Sequence, residues 1–134
     1  MTDRQLEILV LDDEEVVCAR LKPALEKNGY RVETFTDSRL AKQRLKEHEF
    51  HIVVTDLSMP GIDGMKLFNF IKKKWPETKV IIISGFATVE ITREAFQAGV
   101  RDIISKPFKI GQLKDIIDKI SAEINLAGKK RSDK

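Results

Sequence analysis

The chain has one cysteine in 134 residues, which rules out an internal disulfide. Cys18 falls on the helical stripe of Leu21 and Leu25, so it reads as a small buried hydrophobe rather than a reactive thiol. No apolar run is long enough to cross a bilayer and no basic-then-apolar leader opens the chain, so a cytoplasmic protein with no membrane partner is expected. The glycine-containing loops lack the spacing of a dinucleotide or P-loop fingerprint, which leaves NAD and ATP without support. Internal repeats and low-complexity segments are also missing. The two histidines, His48 and His51, flank the start of the predicted third strand, on the edge opposite the acidic positions below, and read as surface residues rather than ligands or bases.

What is present suits one domain. The chain is 42% hydrophobic and 34% charged, a composition and length that can close a single core. The net charge of +3 hints at nucleic acid until it is placed along the chain. Lys129, Lys130, Arg131 and Lys134 against Asp133 account for all of it, so the body is neutral and no direct nucleic-acid binding is expected. Residues 1–124 are expected to form the domain and residues 125–134 a basic, disordered tail.

Four short apolar runs organise the rest: Ile8-Leu9-Val10-Leu11, Ile52-Val53-Val54-Thr55, Val80-Ile81-Ile82-Ile83 and Asp102-Ile103-Ile104-Ser105. Unbroken β-branched runs fit strands covered on both faces. Helix-period stretches between them make the sheet parallel and the fold α/β. A further strand is expected over residues 30–35. The connecting helices carry Val17, Leu21 and Leu25, then Leu40, Ala41 and Leu45, then Leu67, Phe68, Phe70 and Ile71, then Ile91, Ala95 and Phe96. The last carries Leu113, Ile116, Ile117, Ile120 and Ile124. Residues 59–64 read as a turn-rich loop. Phe35, Phe50, Phe68, Phe70, Phe96 and Trp75 are expected to pack in the core.

Each of the four runs ends at a polar position: Asp12-Asp13, Asp56, Ser84 and Lys106. In a parallel sheet these ends share one edge, where open α/β sheets bind ligands. Like charges repel there, by roughly 1 kcal/mol per pair at 4 Å in water and about 4 at a surface-like dielectric. A hard divalent cation such as Mg²⁺ relieves such an all-oxygen cluster. A carboxylate can accept a phosphoryl group while Lys106 and the Ser84 hydroxyl neutralise its oxygens. Plainer roles are open to each residue: Asp12 or Asp13 as a helix cap favoured with Glu14 and Glu15 at the positive helix end, Asp56 as a turn former, Ser84 as a cap and Lys106 as a solvated lysine.

The segments Leu11-Asp12-Asp13-Glu14, residues 54–64, Ile83-Ser84-Gly85 and Ser105-Lys106-Pro107-Phe108 resemble the receiver domain of two-component response regulators, over about residues 6–124. The resemblance implies a single doubly wound (βα)5 domain, a flavodoxin-like three-layer sandwich with strand order 2-1-3-4-5. It makes Asp56 the phosphoacceptor, charged from a sensor histidine kinase or a phosphotransfer protein. Mg²⁺ would be held by Asp13 and Asp56 directly, by Asp12 through water and by the Ser58 carbonyl, with Lys106 paired to the phosphoryl group. A cis bond before Pro107 is expected.

The resemblance also implies a switch in which the Ser84 hydroxyl moves toward the phosphoryl group and an aromatic residue on the fifth strand turns inward. This chain has Ile103 at that position, which cannot make the aromatic rotation. Phe86 is expected to hinder water at the phosphoryl site, so that Phe86→Ala would speed dephosphorylation. The output would pass through the fourth helix, fifth strand and fifth helix to a partner protein or an output domain outside this chain, from a monomer or a weak, phosphorylation-dependent dimer. The competing class is an aspartyl-nucleophile phosphohydrolase or phosphotransferase. Such enzymes often carry a second acid two residues past the nucleophile, a place held here by Ser58.

Overall fold

The computed structural model describes residues 5–59, 62–85 and 88–132, with only the backbone described at residues 58, 59, 62–64 and 126–132. The elements run β1 (Glu7–Leu11), α1 (Glu15–Lys27), β2 (Arg31–Phe35), α2 (Ser38–Glu47), β3 (Ile52–Asp56), β4 (Ser58–Met59), β5 (Ile62–Asp63), α3 (Gly64–Lys74), β6 (Lys79–Ser84), α4 (Val89–Ala98), β7 (Asp102–Ser105) and α5 (Ile110–Ser132). Five strands form one sheet in the order β2-β1-β3-β6-β7. Every neighbouring pair in it is parallel, which is the 2-1-3-4-5 order when only sheet strands are counted. The residues expected to form a plain loop after β3 instead hold a small antiparallel ribbon, with Ser58 opposite Asp63 and Met59 opposite Ile62.

Side-chain alternation along each strand builds the three layers. Ile8, Val10, Ile52, Val54, Ile81, Ile83 and Ile104 pack with Cys18, Leu21 and Leu25 of α1 and Leu113, Ile117 and Ile120 of α5. Leu9, Leu11, Val53, Val80 and Ile82 face the opposite way, onto Ala41 and Leu45 of α2, Leu67, Phe68 and Ile71 of α3, and Ala95 of α4. Both faces are covered, which is why the strands read as unbroken apolar runs.

Local chemistry sets the helix ends. Asp37 accepts from the Arg39 N–H at the start of α2, and Thr88 accepts from the Ile91 N–H at the start of α4. The Trp75 indole donates to the Leu45 carbonyl at 2.7 Å, filling an acceptor in the last turn of α2. Gly99 closes α4 at φ 107, while Val100 N–H bonds back to the Ala95 carbonyl. An alanine there meets Lys72 Cε at 3.4 Å and must adopt a left-handed backbone. Gly99→Ala is therefore expected to lose about 1–2 kcal/mol, read as a lower denaturant midpoint with an unchanged slope.

Some apolar positions lie outside the core that their spacing suggested. Phe96 is 46% exposed and Leu40 60% exposed. Phe35, Phe70 and Trp75 are half-buried, and Phe50 and Phe68 are buried. The reason for Phe96 lies in α4, where Ala95 alone is buried, so this helix touches the sheet along a narrow line. His48 and His51 do lie at the N-terminal edge of the sheet, but both are half-buried and bonded. Glu7 N–H donates to His51 Nδ1 at 3.0 Å, and His48 Nε2 is 2.7 Å from Glu7 Oε1. At the C-terminus, the backbone of α5 runs on to residue 132. Lys129, Lys130 and Arg131 fall in its last turn, at the negative end of the helix dipole.

Candidate functional site

The chain leaves β1 for β2 on one side and returns to β3 on the other, so the order in which strands are added reverses between β1 and β3. A crevice opens beyond their C-terminal ends. Leu11 is level with Thr55, which sets Asp12 beside Asp56 as the next residues along. Ser84 is level with Ser105, and the Lys106 N–H donates to the Ser84 carbonyl at 2.8 Å, which brings Lys106 to the same edge. All four sequence-predicted positions meet there. The Lys106–Pro107 peptide is cis.

Asp12, Asp56 and Ser84 are buried and Asp13 is exposed. The two oxygens of Asp12 do different things. Oδ1 accepts from the Glu14 N–H at 2.9 Å, an Asx-type turn that leads the chain into α1. Oδ2 is 2.9 Å from Lys106 Nζ, an ion pair, but at an angle poor for a hydrogen bond, and it has no hydrogen-bond partner. Lys106 Nζ also donates to Asp56 Oδ2 at 2.9 Å and to Glu14 Oε1 at 2.8 Å. Oxygens of Asp12, Asp13 and Asp56 lie within 4.8 Å of one another, the one such acidic cluster among the described residues.

Burial pushes the Asp12 carboxyl above its ordinary value; the Glu14 N–H and Lys106 work against this, and the Asp56 charge adds to it. Burial alone would lower the Lys106 ammonium, yet the carboxylates of Glu14, Asp12 and Asp56 outweigh it and hold Lys106 raised. Three carboxylates thus share one ammonium, with the Asp13 carboxylate beside two of them. A buried carboxylate oxygen without a hydrogen bond, beside two more carboxylates, is a donor set that fits a hard divalent cation.

The plainer roles sort themselves by position. Asp12 does shape the turn, with one oxygen, while the cap of α4 is Thr88 and not Ser84. Ile103 is half-buried on β7, packed against the layer that holds α2, α3 and α4. Ser58 begins β4 directly after β3 and Leu57, and its backbone pairs with Asp63. Phe86 lies outside the described residues. Glu14 is the residue that sequence reasoning passed over: it reads there only as favourable charge at a helix start, and its partner lies 92 positions away.

A doubly wound parallel sheet with an acidic crevice and one lysine at its switch point defines a receiver module. The response regulator receiver domain model matches residues 8–118, and the chain belongs to that family. It is 34% identical over 113 residues to the response regulator receiver protein CpdR of Brucella abortus, spanning 84% of this chain and 94% of that protein. It is 31% identical to the transcriptional regulatory protein ZraR of Escherichia coli K12, across 91% of this chain and 28% of ZraR. Among solved structures, a CheY-like receiver domain from Methanospirillum hungatei superposes with a TM-score of 0.84 at 26% identity, covering 90% of this chain and 96% of that one. The BeF3-activated DrrB receiver domain does so at 0.80 and 28% identity, over 87% and 97%. No helix among the described residues is long and apolar enough to cross a membrane.

Proposed function

We propose that this chain is a cytoplasmic signalling phosphoacceptor rather than a turnover enzyme, with Asp56 taking a phosphoryl group from a histidine kinase or a phosphotransfer protein. The observation that carries this reading is the Lys106 ammonium 2.9 Å from the Asp56 carboxylate in an acidic crevice at the switch point. The Asp56 oxygen attacks phosphorus, the P–N bond of the phosphohistidine breaks, and its electron pair leaves with the imidazole. Lys106 neutralises charge on the transferring oxygens, and the Ser84 hydroxyl donates to one of them. Asp12, Asp13, Asp56 and the Ser58 carbonyl would hold Mg²⁺, which when bound offsets the charge of the phosphoryl oxygens and of the clustered acids.

The response then travels outward from Ser84. Ile82 is level with Ile103 across β6 and β7, so a shift at the end of β6 presses on the half-buried Ile103 and the layer it packs against. In that layer α4 is held by a single buried residue, with Val89 and Phe96 exposed on it. A helix so lightly held moves at low cost, which supports an output surface made of α4, β7 and α5. Its target is a partner protein or an output domain.

The test is stoichiometry. With acetyl phosphate and Mg²⁺ the protein should take up one acid-stable, base-labile phosphoryl group per chain, and none in Asp56→Asn or in excess chelator. Repeated turnover of phosphomonoesters, lost in Asp56→Asn, would instead make the chain a hydrolase.

A further inference from the structure

Glu14 stands at the N-cap of α1, where an acidic side chain ordinarily accepts a backbone N–H of the first turn. It makes no such bond. The turn closes through main chain alone, Val17 N–H donating to the Glu14 carbonyl at 3.0 Å. The side chain reaches instead across to the start of the β7–α5 connection, where Oε1 accepts from Lys106 Nζ at 2.8 Å. Lys106 thereby donates to Glu14 and Asp56 and is ion-paired with Asp12, so three carboxylates share one ammonium. A phosphoryl oxygen on Asp56 must compete with these carboxylates for the ammonium.

The three are not equally easy to replace. The Asp12 side chain is fully buried and tied into the turn, and Asp56 carries the incoming group. The Glu14 side chain is 55% exposed, so water can take over its solvation when it lets go. We propose that Glu14 is a positioning residue that competes for Lys106 in the resting state, holding the ammonium until a phosphoryl oxygen displaces it. The proposal rests on the reading of Asp56 as the acceptor. Its consequence is that Glu14 weakens the hold of the site on a phosphoryl group.

Beryllofluoride, a phosphoryl mimic that also binds a carboxylate, gives a direct readout by titration calorimetry at saturating Mg²⁺. Glu14→Gln is expected to bind it about two- to five-fold more tightly than the parent, the range for a partly solvated ion pair, with the thermal midpoint unchanged. Glu14→Asp keeps the charge but is one methylene shorter, and should also bind more tightly. Glu15→Gln, which removes the adjacent exposed charge, should match the parent. Equal tightening in Glu14→Gln and Glu15→Gln would reduce the effect to net charge and overturn the proposal, as would unchanged or weaker binding in Glu14→Gln. A parent protein that binds no beryllofluoride would overturn the acceptor reading and this proposal together, whereas a parent that binds and a Glu14→Gln that fails to tighten would overturn this proposal alone.

Discussion

Lys106→Met is expected to destabilise the cation-free protein by about 3 kcal/mol, the low end for removing one partner from a buried charge cluster. The low end applies because the Lys106 side chain keeps 19% of its surface exposed, while the Asp12 side chain keeps none. Methionine retains the apolar stem and removes the ammonium that Asp12, Asp56 and Glu14 share. In a chain of this size the loss corresponds to roughly 10 °C in thermal midpoint. Mg²⁺ should restore much of it, because a cation at one hundred times its dissociation constant stabilises by about 2.7 kcal/mol. The variant should also bind Mg²⁺ more tightly than the parent, since the competing ammonium is gone. Thermal melts with and without Mg²⁺ check both statements. A midpoint that neither falls without the cation nor rises with it would show that the carboxylates do not act as one cluster.

The second large effect has the opposite sign. Asp12→Asn should stabilise the cation-free protein near neutral pH and abolish its stabilisation by Mg²⁺. Burial raises the folded-state value of Asp12 above the ordinary 3.8, so between those two values the native chain binds more protons than the unfolded one. Stability from this group is therefore fully present below pH 3.8 and is lost as pH rises through the folded-state value. Asparagine keeps the acceptor for the Glu14 N–H and removes the charge. The gain of Asp12→Asn over the parent should thus be near zero at the most acidic pH and grow toward neutrality, in paired denaturant titrations across the range. A gain that is constant with pH would place its origin elsewhere.

Both expectations follow from a site held away from its most stable arrangement. Three clustered acids and a buried, poorly bonded carboxylate oxygen are unfavourable in the resting fold and favourable once a cation is near. This like charge is carried at one edge of an otherwise well-packed sheet.

The fold was legible because its strands are buried on both faces, so Ile52, Val53 and Val54 or Ile81, Ile82 and Ile83 announce themselves without alternation. The convergence of Asp12, Asp56, Ser84 and Lys106 followed from the sheet being parallel, since each stands at or just after a strand end. The β4–β5 ribbon was not legible, because two-residue strands leave no period to read. Phe96 carries the right spacing for burial, yet Ala95 is the one fully buried residue of α4, and how much of a helix is covered is set by its neighbours. Glu14 reads locally as helix-start charge; its bond to Lys106 depends on how β1 and β7 are set in space, which no local pattern encodes. The pairing of His48 and His51 with Glu7 was hidden for the same reason.

The most direct test of the central claim locates the phosphoryl group itself. After reaction with acetyl phosphate and Mg²⁺, borohydride reduces an aspartyl phosphate to homoserine, and peptide mass mapping reports the position. Homoserine is expected at position 56 alone, with none in samples treated with chelator. Homoserine at position 12 or 13, or none anywhere in protein that has taken up label, would contradict it.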